Sequence, residues 1–193
     1  MAEAPLSLES WSNFYVIVGS AAGGLTGLTF VVIALVADAH RAPVRLSGLR
    51  AFVSPTIVHF CSVLVLAALL NVPRHSVRSL ALCLALSGLV GVIYSLGTLR
   101  ELLRHRKVYM PVVSDWIWNA LLPSLSYLAL LIAGKLAPAH CPAALDITAG
   151  VSLLLLFIGI HNAWDIAVWF TAERPGAASD DSKPPVPSEP PAQ

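Results

Sequence analysis

Charge is what this sequence has least of. Asp, Glu, Lys and Arg make up only 12% of its 193 residues, against roughly 25% in an ordinary soluble domain. That scarcity excludes a solvated disordered chain and argues against a soluble globular enzyme. The net charge is +1, so the electrostatic footprint of a nucleic-acid partner is missing too. Cysteine is equally sparse, at three residues, Cys61, Cys83 and Cys141. They form no C-x-x-C pair for zinc or redox work, and no internal disulfide is expected. G-x-S-x-G, H-E-x-x-H and G-x-G-x-x-G are absent, which leaves an enzyme without support.

What is present is apolar. Hydrophobic residues make up 56% of the chain, and the mean hydropathy is +0.75. They gather into five runs, at about 14–37, 51–72, 79–99, 116–134 and 147–170. A helix needs about 20 residues to cross a hydrocarbon core of about 30 Å. Each run meets that length, so the expected fold is an all-α, polytopic transmembrane bundle of five helices. The leader before the first run, residues 1–13, holds Glu3 and Glu9 and no Lys or Arg. A secretory signal needs a positive leader and a shorter apolar core, so the first helix is expected to stay.

Basic residues set the orientation. Segments 38–50 and 100–115 and the C-terminal tail together hold nine Lys or Arg, and the alternate side holds three. This places residues 1–13 outside and residues 173–193 in the cytoplasm, with 14–172 as the membrane domain. From Pro175 the tail turns to Pro, Ser, Ala and charge (PGAASDDSKPPVPSEPPAQ), a composition expected to be disordered. The stretch Arg100–Tyr109 (RELLRHRKVY) reads as a basic helix extension along the cytoplasmic surface, where it can attract anionic lipid.

Two sets of residues stand out within the runs. The first helix carries Gly19, Gly23 and Gly27 at four-residue spacing, and the third repeats the pattern with Ser87, Gly91 and Ser95. Such rows let two helix backbones approach closely, and in lipid that close packing is what joins helices. The partner is either another helix of the same chain, with the third as first choice, or a second protein.

The other set is polar. His59 lies in the second run, and His161 and Asp165 lie in the fifth, four residues apart and so on one helical face. Tyr94, Asn119 and Asn162 belong to the same half of the membrane. Three readings of these residues compete. One is a polar staple between helices, with His161 bonded to Asp165 and the asparagines bonded across. Another is a proton or ion relay through His59, His161 and Asp165, since ionisable groups within a membrane are expensive. The third is a metal or haem b site with His59 and His161 as axial ligands. Pro123, midway along the fourth run, is expected to bend that helix near Asn119.

The first run, FYVIVGSAAGGLTGLTFVVIALVAD (Phe14–Asp38), and the last, IGIHNAWDIAVW (Ile158–Trp169), resemble a family of small multi-pass bacterial membrane proteins. Its members share an L-T-G-L-x-F-V first helix, and some are labelled modulators of the FtsH protease. The resemblance implies a bacterial inner-membrane protein and brings no agreed activity, so it assigns no catalytic residue. It does mark His161-Asn162-Ala163-Trp164-Asp165 as a unit. The expected function is a non-catalytic helix-packing or partner-binding membrane module, embedded in lipid and joined to itself or to another membrane protein. A proton- or ion-linked transporter, channel subunit or sensor is the alternative.

Overall fold

In hydrocarbon every backbone N–H and C=O must be satisfied within the protein, which leaves an apolar chain the choice of helix or closed barrel. This chain takes the helix in its described spans. The computed structural model describes residues 9–39, 46–73, 76–105 and 113–172, and all regular structure among them is helical. In order these are α1 (Glu9–Ala39), α2 (Leu46–Leu70), α3 (Val77–His105), a composite fourth crossing, and α6 (Cys141–Ala172). The fourth crossing consists of α4 (Val113–Trp116), a π turn (Ile117–Leu121) and α5 (Leu122–Leu136).

Four stretches are long and apolar enough to span a membrane: Ser10–Leu35, Val77–Arg104, Ile117–Leu136 and Cys141–Val168. The apolar stretch of α2, Pro55–Leu70, is shorter. The chain is therefore an all-helical, multi-pass membrane protein. Residues 1–8, the second half of the basic stretch and the tail at 173–193 lie outside the described residues.

The helices overrun most of the apolar runs. α6 has 32 residues, about 48 Å at 1.5 Å each, well over the ~30 Å of hydrocarbon. Asp146 and Asp165, both exposed, lie about 28 Å apart along it by the same rise. They bracket one hydrocarbon thickness. Asp165 thus belongs to a membrane boundary more than to its interior, and the cost of its charge is correspondingly smaller.

Successive helices run antiparallel, and their ends are tied by side chains. Ser76 Oγ accepts the Ser79 N–H at 3.1 Å, capping the start of α3. The Asn71 amide donates to Ala67 O at 2.8 Å and its carbonyl accepts from Ser12 at 3.0 Å. That one residue closes the end of α2 and fastens it to the start of α1. Hydroxyls inside the spans return to the carbonyl one turn back, as Thr148 does to Ala144 and Ser152 to Thr148. A polar side chain is satisfied this way without a partner helix.

α3 packs on α5, α1 packs on α2, and α6 lies against both α2 and α5. The core is formed by Tyr15, Phe60, Leu66, Tyr127, Leu130 and Leu155, each at most 1% exposed. Large apolar side chains on the other faces point outward, among them Leu28, Val90, Leu121 and Phe157. That is the surface a bilayer requires. The first helix does not take α3 as its principal neighbour: a Cβ built on Gly19 would meet Ala67 Cβ of α2 at 2.7 Å, and one on Gly23 would meet Leu64 at 3.8 Å.

Candidate functional site

The site begins with Pro123. Proline has no N–H, and in an α-helix its ring collides with the carbonyl four residues earlier, here that of Asn119. The chain meets this by widening one turn. Residues Ile117–Leu121 form a π turn, closed by the Leu122 N–H on Ile117 O, and α5 restarts with proline in its first turn. The proline of the fourth run therefore produces an inserted residue in place of the passive bend expected from sequence. π turns of this kind recur at functional sites.

The widened turn presents two side chains to α6. Trp118 lies flat on the His161 imidazole, with centroids 3.8 Å apart and planes 12° from parallel, and its other neighbour is Phe157 at 5.7 Å. Asn119 Oδ1 accepts a long hydrogen bond from Asn162 Nδ2 at 3.4 Å. His161 Nδ1 is 3.3 Å from Asp165 Oδ2, near enough for electrostatic attraction but without hydrogen-bond alignment. Asp165 itself is 63% exposed. The contact of the π turn with the H-N-x-x-D segment thus holds the Asn119–Asn162 bond of the expected staple but not its His161–Asp165 hydrogen bond. Trp118 is its largest member and the one that sequence reasoning passed over.

If the proline creates the π turn, its removal should dissolve the staple. In a protein with Trp118 as its single tryptophan, Pro123→Ala is expected to restore α-helical register and turn the indole away from His161. Emission should then rise, because a stacked imidazole quenches indole, and His161→Ala should raise it equally. Unchanged emission in both variants would mean that no such stack forms in the membrane.

His59 belongs to a different place. It is 1% exposed, and its Nδ1 lies 3.0 Å from Tyr127 Oη on α5. Tyr127 Oη is also 3.0 Å from Ser62 Oγ, and Ser62 donates to Val58 O at 2.7 Å. The Tyr94 ring of α3 meets the imidazole edge-on at 6.4 Å. α2 and α6 are neighbours, and the Phe60 ring sits against Gly159. The two histidines nevertheless face different helices. No hydrogen bond or ring contact joins His59 to His161 among the described residues, and no group of three metal-capable side chains gathers among them.

The small-residue rows divide in the same way. Gly91 takes the Tyr127 ring, and Ser95 is buried with no hydrogen-bond partner among the described residues. Ser87 is half-buried. The closest approach of α3 to α5 comes instead at Gly88 and Gly134, neither of which sequence reasoning singled out. Their built Cβ atoms would lie 2.6 Å from the backbone nitrogens of Leu131 and Ala85 respectively. The row Ala81, Ala85, Gly88 was the available signal. Gly24 and Gly27 on α1 meet no described residue within 4 Å. A cleft of about 140 Å³ between α1, α2 and α6, lined by residues such as Leu28, Val32, Phe60 and Ile166, is apolar and holds none of the polar candidates.

Fold and site together define a multi-pass helical membrane protein with two separate polar clusters. Comparison with protein-family models, curated proteins and solved structures found no match.

Proposed function

We propose that this protein is a non-catalytic membrane module that joins a second membrane-embedded helix through the outer face of α1. One observation carries the reading. Gly19 and Gly23 are taken up by α2, whereas Ser20, Gly24 and Gly27 lie exposed on the adjoining face, and no described residue comes within 4 Å of a Cβ built on either of the last two. In lipid, a row without side chains gains nothing from facing acyl chains and much from facing another backbone. Of the four stretches long enough to span a membrane, that of α1 is the least enclosed, 17% buried against 50% for α6. A second copy of this chain or another membrane protein can supply the partner helix.

The distribution of basic residues and the resemblance of the first and last spans favour a bacterial inner membrane, with the N-terminus outside and the C-terminus in the cytoplasm. The family likeness, with its FtsH-modulator label, is compatible with a partner-binding role and adds no activity.

The experiment contrasts two glycines on one helix. Gly27→Leu, alone or with Gly24→Leu, is expected to leave helicity and unfolding unchanged while lowering crosslinked assembly or partner recovery in native membranes at least tenfold. Gly19→Leu should instead destabilise the chain itself, because its side chain meets Ala67. Full assembly by the Gly24/Gly27 double variant would end the proposal.

An ion- or proton-linked role is the second reading, favoured by one observation: the Nε2 atom of buried His59 has no hydrogen-bond partner among the described residues. Flux through liposomes containing His59→Gln or Asp165→Asn protein separates the readings. Loss of a flux seen with the parent chain supports the second, and its persistence removes it.

A further inference from the structure

The buried cluster around His59 can be read proton by proton. A backbone carbonyl only accepts, so the 2.7 Å contact of Ser62 Oγ with Val58 O uses the single Ser62 hydroxyl proton. Toward Tyr127, at 3.0 Å, Ser62 can then only accept, and the phenol proton lies on that line. The Tyr127 oxygen has a lone pair left for His59 Nδ1, also at 3.0 Å, and the imidazole nitrogen must be the donor. The chain runs one way: Nδ1–H to Tyr127, Tyr127 to Ser62, Ser62 to Val58 O. A neutral imidazole with its proton on Nδ1 carries a bare lone pair on Nε2.

That lone pair is inside the protein, with no hydrogen-bond partner among the described residues. A second orphan lies on α3, which packs on α5. Ser95 Oγ, on a residue 2% exposed, also has no partner among them. Ser95 is one turn beyond Gly91, where the Tyr127 ring packs, and next to Tyr94, whose ring meets His59. Buried polar atoms are nearly always satisfied, and an internal water with two or more polar partners is the usual means. Among the described residues the side chains in contact with His59 are Tyr94 from α3 and Tyr127 from α5, both uncharged hydroxyl groups. A bound cation would have no counter-charge there. The ligand this site suits is neutral and donates a proton.

We infer that the Ser62–Tyr127 chain holds His59 as its Nδ1–H tautomer and presents Nε2 as a binding site for one internal water molecule, which Ser95 also contacts. The site is independent of the α1 face and of any partner.

The test uses the full chain in lipid bilayers, with ¹⁵N-histidine and His59 as the single histidine, the other five being replaced by Gln. The expected spectrum shows an attached proton on Nδ1, none on Nε2, and magnetisation reaching Nε2 from water. In Ser62→Ala the phenol loses its acceptor and donates to Nδ1, so the attached proton should move to Nε2. Ser62→Thr keeps the hydroxyl and should keep the parent tautomer. An attached proton on Nε2 in the parent chain, or an unchanged tautomer in Ser62→Ala, would overturn the directed chain. An Nε2 without a proton that receives nothing from water would overturn the water site.

Discussion

Gly134→Leu is expected to abolish the folded bundle. A Cβ at this position would lie 2.6 Å from Ala85 N and 2.9 Å from Ala81 O, so the obstacle is backbone on α3 and cannot rotate aside. The opposing Gly88 is blocked in the same way by Leu131 N. The two glycines face across one seam, and a leucine in it forces α3 and α5 apart along their whole contact. Overpacking a tight core costs about 1–3 kcal/mol where side chains can adjust. Here they cannot, and the loss should exceed that range, which is a large part of a typical total stability of about 5–15 kcal/mol. Denaturant titration in micelles, followed by helicity, should show Gly134→Leu without a cooperative transition. Gly97→Leu, with open space around its Cβ, should keep the parental midpoint. Equal midpoints for the two would show that α3 and α5 do not meet as described.

Such seams were only half legible in the sequence. Apolar run length predicted the helices because hydrocarbon thickness is a fixed ruler, and every run acquired one. Which helices touch was a different matter. Of the four-residue rows, Gly19 and Gly91 fall at close approaches while Gly27 meets no described residue within 4 Å, and the rows do not name their partners. Gly19 went to Ala67 on α2, and Gly91 took an aromatic ring. Spacing encodes a face and carries no address. The tightest approach, Gly88 against Gly134, needed both helices in register before it could be seen.

The polar residues show the same limit. Helical periodicity and depth group His161, Asp165, Asn119 and Asn162; around the π turn the structure bonds Asn119 to Asn162 and stacks Trp118 on His161, while Asp165 is exposed and forms no hydrogen bond with His161. His59 shared their depth yet turned to Tyr127. An error of one residue in rotation, 100° on a helix, decides between two neighbours, and sequence fixes rotation poorly when every helix is apolar all round. Pro123 was legible as a disturbance. Whether it would kink the helix or widen it depended on α6 offering His161 and Asn162 to the displaced Trp118 and Asn119.

Tyr127→Ala carries the second large effect, and it can be resolved into two parts. The ring fills the space over Gly91, and the hydroxyl connects His59 to Ser62. Tyr127→Phe keeps the first and removes the second. His59 Nδ1–H and Ser62 then lose a partner inside the core, at about 1–3 kcal/mol for the stranded group. Tyr127→Ala removes both, and a large-to-small change in a core adds a cavity, for a total of about 3–5 kcal/mol. The ring contribution is identified by a second substitution. In the parent chain Gly91→Ala collides with the Tyr127 ring and should destabilise; in the Tyr127→Ala background the same methyl enters free space and should be neutral or stabilising. The difference between the two backgrounds is the coupling between α3 and α5 at this level. If Gly91→Ala is equally harmful in both, the α3 face opposite Tyr127 is set by something other than the ring. A Tyr127→Phe protein as stable as the parent would in turn show that the hydroxyl does not hold the histidine.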